Sequence, residues 1–165
     1  MGRKSVDVLL EAFSILAKGY HDLHLVLVGA YLRSERERLH ELGIAGHTFR
    51  LRVSDAALPW VYRKAAVMMY ASQWEGFGLP VAEAMASGCP AVVSDIGALT
   101  EVGADAVRVF DTEDQAALVE LVERILTDPE EAARMQQAGI ARARVFTWRR
   151  TAERTATVYE EVVGS

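Results

Sequence analysis

The chain has a single cysteine, four prolines and no long apolar run, and each scarcity removes a class of explanation. One cysteine cannot close an internal disulfide, so nothing in the sequence demands an oxidising compartment. Cys89 therefore reads as a small filler between a helix and a strand rather than as a reactive thiol. No stretch approaches the roughly 20 apolar residues needed to cross a bilayer, and no signal peptide is seen at the start. The opening residues also fail the myristoylation pattern, which asks for Ser or Thr where Val6 stands. The expectation is a cytoplasmic protein. His21, His24, His40 and His47 lack metal-ligand spacing with Cys or paired acids, so no metal site is expected. A net charge of −5 argues against a general nucleic-acid binder. A GxGxxG loop is absent too: the only comparable segment, Gly29-Ala-Tyr-Leu-Arg-Ser, does not match, which disfavours a dinucleotide-dependent oxidoreductase.

What remains is an ordinary soluble profile, 51% hydrophobic and 25% charged over 165 residues, enough for one domain with a proper core. Strand-like and helix-like segments alternate, which predicts an α/β fold with a doubly wound, mostly parallel sheet and extra C-terminal helices. Val6, Leu9, Leu10, Phe13, Leu16 and Ala17 recur at helical spacing. Strands are expected over 23–28, 48–53, 67–70, 90–93 and 106–110, with Arg50 and Arg52 on one side of the second and Phe49, Leu51 and Val53 on the other. Helices are expected over 34–42, from an Asp55 cap through 62–65, near 99–102, and over 113–126, 129–144 and 147–163, with Asp128 and Thr147 as caps of the last two. In such a sheet ligands bind at the carboxyl ends of the strands, where Gly29, Val53, Ser72 and Ser94 fall.

The most informative stretch is Glu75-Gly-Phe-Gly-Leu-Pro-Val-Ala-Glu83, followed by Ala-Met-Ala-Ser-Gly-Cys-Pro. Pro80 suits the first turn of a helix, because its missing N–H would be unpaired there. Gly88 suits the left-handed residue after the helix end. Gly76 and Gly78 let a ligand approach the backbone. Free N–H groups at a helix start form an anion site, and ionised carboxylates accept hydroxyl hydrogen bonds. A diphosphate flanked by two carboxylates matches a nucleotide sugar, with a diol at either end. Taken alone, the two acids leave an ordinary helix start beside an exposed acid as the better reading.

The wider context decides between them. Ser72-Gln-Trp-Glu75-Gly-Phe-Gly-Leu-Pro80, with Glu83-Ala-Met-Ala-Ser-Gly-Cys-Pro90 and Leu99-Thr-Glu101, closely resembles the donor-binding motif of retaining GT-B glycosyltransferases of group 1, or family 4. The resemblance runs from Gly2-Arg3-Lys4 through Phe146-Thr-Trp148. It implies a Rossmann-like GT-B C-terminal domain spanning 1–165, a fragment without its acceptor-binding N-terminal domain and without its own first strand. It implies that Glu75 meets donor-sugar hydroxyls near the anomeric centre and that Glu83 binds the ribose. Backbone around Gly76, Phe77, Gly78 and Leu79 would hold sugar and distal phosphate, and Arg3 and Lys4 the diphosphate, with Ser5 where many members have Asn. Val53 and Ser54 fall where members contact the base, although Leu51 replaces a usual glycine, and Ser72 lies among the residues that set donor specificity. Trp74 and Phe77 read as packing supports.

The resemblance further implies metal-independent transfer of a hexose, mannose or glucose, from a UDP- or GDP-sugar, in polysaccharide, glycolipid or lipopolysaccharide biosynthesis, with no cofactor. An isolated donor half should bind donor weakly and transfer nothing, and the missing strand should leave an edge open to self-association. Arg142, Arg144, Arg149, Arg150 and Arg154 suggest either peripheral contact with an anionic membrane at the cytoplasmic face or, the favoured reading, a solvated helix face with partners such as Glu153. Two other classes stand against the enzyme: a non-catalytic nucleotide-sugar binding module, and a flavodoxin-like phosphate-binding domain, for which only Asp55 and Asp95 are candidate acids.

Overall fold

In a computed structural model, residues 3–30 and 33–163 are described, with side chains from Val6 onward except that of Arg33. The helical spacing near the start forms α1 (Arg3–Gly19). β1 (Leu25–Val28), α2 (Arg33–Glu41) and β2 (Thr48–Leu51) follow, then α3 (Leu58–Lys64), β3 (Met68–Tyr70), α4 (Leu79–Ala86) and β4 (Ala91–Ser94). α5 (Gly97–Gly103), β5 (Arg108–Phe110), α6 (Gln115–Thr127), α7 (Pro129–Ala143) and α8 (Trp148–Val163) complete the chain. All strand pairs are parallel, as the alternation of elements predicts.

The sheet is in two pieces, β1-β2 and β3-β4-β5. Among the described residues nothing pairs with the inner edges of β1 and β3, so the strands do not merge into one sheet. α1 holds the pieces together from below. Its Val8, Ala12 and Leu16 pack with Val92 and Phe110 under the three-stranded piece. Its Leu10, Phe13 and Ala17 pack with Leu25 and Leu27 under the two-stranded piece. Leu23 and Met69 touch both clusters, so two partly buried side chains bridge the break.

The three-stranded piece is wound on both faces. Val92 points to α1 and α6, whereas Ala91 and Val93 point to the cluster that Val81, Met85, Leu99 and Val102 build from α4 and α5. Every residue of β4 is buried, the pattern of a central parallel strand. The two-stranded piece is covered on one face only. Val26, Val28, Phe49 and Leu51 are 37–53% exposed, and it is Arg50 that turns inward to pair with Glu35. The apolar side of β2 thus faces outward, because α4, α5 and α7 all lie over the other piece.

Helix ends follow local chemistry with one exception. The Asp128 carboxylate accepts from the N–H groups of Glu130 and Glu131 at 3.0 Å each, and Thr147 Oγ1 accepts from that of Arg150 at 3.1 Å. Asp55 caps nothing: α3 starts after Ala57 with no side-chain cap, and Pro59 at its start supplies the preset φ instead. α8 is exposed along its whole length, with Trp148, Tyr159, Val162 and Val163 open to solvent. The basic cluster divides there. Arg142 donates to the carbonyls of Val102 and Glu101 at the end of α5, while Arg149 pairs with Glu153 at i,i+4 on the surface of α8.

Among the described residues Glu131 is the one buried acid, with Arg108 of β5 and Arg134 of α7 both paired to its carboxylate. Hydrogen bonds from Arg134 first, and then Arg108, hold it below its ordinary value of 4.5. A depressed carboxyl contributes stability above that ordinary value and loses it as pH falls through the folded-state value. Glu131→Gln is therefore expected to lower the urea midpoint at pH 7 and to flatten its decline below about pH 4.5; the check is urea unfolding of both proteins between pH 3 and 7.

Candidate functional site

The exit from β3 is fixed by two serines. Ser94, fully buried at the end of β4, accepts from the Ser72 N–H at 3.0 Å and donates to the Ser72 carbonyl at 2.9 Å. Ser72 in turn closes a short turn, its hydroxyl donating to the Trp74 carbonyl at 2.9 Å and accepting from the Trp74 N–H at 3.3 Å. The loop that carries Glu75 is thereby anchored to the central strand at its root.

Its far end is fixed by a glycine. Gly78 has φ +89°, and a Cβ there would meet Leu99 Cδ2 at 2.4 Å, so only glycine fits. This left-handed residue opens α4, and its carbonyl accepts from the Val81 N–H at 3.0 Å. Among the described residues no acceptor engages the N–H groups of Gly78 and Leu79, which leaves two donors at the positive end of the helix. Nothing lies within 4 Å of where a Gly76 Cβ would stand, so its backbone is open to approach. Gly88, at φ +74°, closes the helix, and its carbonyl accepts from Gln136 Nε2 of α7 at 3.1 Å.

Two carboxylates sit on this frame. Glu75, half-buried on the loop, accepts from the Tyr70 hydroxyl at 2.5 Å, and Glu83, exposed on α4, accepts from the Tyr62 hydroxyl at 3.4 Å. Burial first, and then the neighbouring carboxylates, raise both tyrosines well above the usual phenol range, so both stay protonated donors. Cys89 lies close by, and burial pushes its thiol up to about 12, which suits a packed filler.

Of the sequence-predicted residues, Glu75, Gly76, Phe77, Gly78, Leu79 and Glu83 lie on one loop and the helix it opens, and Ser72 lies at the root of that loop. Val53 lies just past the end of β2, beyond the break in the sheet. The Arg3 and Lys4 side chains fall outside the described residues. Phe77 is a support as expected, its ring edge-on to Phe146 at 5.4 Å, with the Arg142 guanidinium 5.0 Å from the other ring's centre. Trp74 is not a support: at 82% exposure it packs against little. Sequence reading missed Tyr62, Tyr70 and the tethering role of Ser94. The available signal was position alone, a polar side chain closing each of β3 and β4.

Among the described residues no group of three or more His, Cys, Asp or Glu could hold a metal ion, and no helix is long and apolar enough to cross a membrane. The loop, its helix start and the surrounding fold agree with comparisons to known proteins. The family model for glycosyl transferases group 1 matches residues 2–142, and the chain belongs to that family. It is 31% identical over 163 residues to O-antigen chain mannosyltransferase B of Escherichia coli, covering 96% of this chain and 43% of that protein. The fold is that of the GT-B glycosyltransferases. Sucrose-phosphate synthase from Thermosynechococcus elongatus superposes with a TM-score of 0.81 at 26% identity, covering 98% of this chain and 43% of its own. HepE of Anabaena, solved with UDP-glucose, superposes with a TM-score of 0.73 at 20% identity, covering 82% of this chain and 39% of its own. The chain thus spans less than half the length of these relatives.

Ser94→Ala removes the only hydroxyl that satisfies both backbone groups of Ser72. It is expected to cost about 1–3 kcal/mol of stability, measured by urea unfolding, and to speed amide exchange in residues 72–78 more than in β4.

Proposed function

We propose that the chain is the donor-binding half of a retaining hexosyltransferase and that the Glu75–Glu83 segment holds a nucleoside-diphosphate sugar. One observation carries this reading: a left-handed glycine opens a helix with free N–H donors and sets a carboxylate before and after it. A diphosphate fits the helix start, where two aligned amides and the helix dipole favour negative charge. Glu75 on the loop side would accept hydroxyl bonds from the hexose, and Glu83, on the second turn of α4, from the ribose. Each carboxylate has about four acceptor positions, so a tyrosine partner leaves room for a diol.

In the complete enzyme the bond between the anomeric carbon and the β-phosphate oxygen would break, the acceptor oxygen would bond to that carbon on the same face, and the acceptor hydroxyl's proton would pass to the departing diphosphate oxygen. Negative charge grows on the departing diphosphate. The amides of Gly78 and Leu79 would stabilise it, with the Arg3–Lys4 pair as further cations. The acceptor hydroxyl must come from outside this domain, from an acceptor-binding half of the parent polypeptide. A chain of residues 1–165 alone is accordingly expected to bind donor and not to transfer sugar.

Mannose and glucose are the hexoses favoured: a relative at 31% identity is named a mannosyltransferase, and HepE was solved with UDP-glucose. The test is calorimetric titration of the chain with UDP, GDP, UDP-glucose and GDP-mannose. Glu83→Ala is expected to weaken the preferred diphosphate about tenfold, the loss of a charge-assisted contact to the ribose. Unchanged affinity would remove Glu83 from the site, and failure of all four ligands to bind would remove the reading.

A further inference from the structure

We propose that Tyr70 and Tyr62 are positioning residues for the two motif carboxylates, with Tyr70 orienting Glu75 for the sugar end of the donor and Tyr62 orienting Glu83 for the ribose end. The inference rests on the donor reading above and adds to it a mechanism for setting the acids. Neither Glu75 nor Glu83 takes part in an ion pair among the described residues, so no described cation competes with a ligand for them. Each has instead a single neutral donor. A hydroxyl occupies one acceptor position and leaves the negative charge and the remaining positions to an incoming diol.

The two tyrosines come from rigid elements. Tyr70 closes β3, the strand paired to fully buried β4, and reaches five residues ahead to the loop carboxylate at 2.5 Å. Tyr62 stands on α3, which packs against α4, and reaches Glu83 across 21 residues of sequence at 3.4 Å. A loop glutamate and an exposed helical glutamate would otherwise sample several rotamers. Fixing them beforehand lowers the ordering cost of binding. The two pairs are also neighbours: Tyr62 lies near enough to Tyr70 and Cys89 for ionisation of either to oppose its own. Both phenols are held protonated, so they act as donors throughout the physiological range.

Because the pairs serve opposite ends of one ligand, their loss should separate. The experiment titrates the full chain with UDP and with UDP-glucose, and in parallel with GDP and GDP-mannose. Tyr70→Phe is expected to weaken the sugar nucleotide about tenfold and to leave the matching diphosphate within about twofold. Tyr62→Phe is expected to weaken both by the same factor. Adding Tyr70→Phe to Glu75→Gln should cost little further, since the pair acts as a unit. A merely structural tyrosine would not change the ratio of the two affinities. Equal losses for both ligands in Tyr70→Phe, or full additivity with Glu75→Gln, overturn the proposal while the donor reading stands. A wild-type chain that binds none of the four ligands overturns both. Should Tyr70→Phe not fold, the near-UV tyrosine absorption of wild type and Glu75→Gln decides: a shifted band supports the pair, and superimposable spectra overturn it.

Discussion

The burial of α1 against both halves of a divided sheet is the constraint on which the other features rest. A parallel sheet needs apolar cover on both faces, and its strands need partners on both edges. Here the edges of β1 and β3 do not meet, so alignment of the strand ends depends on one helix whose two adjacent stripes, Val8-Ala12-Leu16 and Leu10-Phe13-Ala17, pack into different pieces. Only Leu23 and Met69 among the described side chains touch both clusters, which makes the joint narrow. The functional loop follows from that alignment, because it leaves the carboxyl end of β3 and is pinned to β4 by Ser94.

Within the loop, rigidity comes from several weak devices acting at its two ends. The serine pair sets where the loop begins. Gly78 sets the turn into α4, and the Leu99 side chain occupies the space a larger residue would need. Phe77 leans on Phe146, which also carries the Arg142 guanidinium, and Arg142 binds the carbonyls that end α5. The motif therefore has a support chain running through α5, α7 and the turn that follows α7. The acids at its centre have neutral tyrosine partners among the described residues, an arrangement suited to accepting hydroxyl groups.

Much of this was legible in the amino-acid order. The apolar spacing from Val6 to Ala17 marked α1, the run after Pro90 marked a buried strand, and Asp128 before Pro129 marked the start of α7. The spacing of Glu75, Gly78, Pro80 and Glu83 located the loop and the helix it opens. What stayed hidden depended on tertiary contact. Alternation in β2 could separate Arg50 from Phe49 but could not say which side faces the core; the answer came from where α4, α5 and α7 lie. Asp55 looked like a cap because it precedes a helix, yet the turn at 54–57 brings Ala57 to that position. Tyr62 meets Glu83 only because α3 packs on α4, and no local pattern announces it. Trp74 looked like a packing residue by type, and its place at the tip of a turn keeps it in solvent.

The division of the sheet has a consequence for how the protein comes apart. β1, α2 and β2 share buried surface with the remainder almost entirely through one face of α1, and their outer face has no cover. Such a segment is expected to open at a lower free energy than the whole domain unfolds. Gly29 and Val53 end the strands of that unit, whereas Ser72, Glu75 and Ser94 belong to the other. Any molecule that spans the strand ends across the break would clamp the weaker unit to the stronger one, so occupancy would be felt as protection from exchange in β1 and β2, far from the carboxylates themselves.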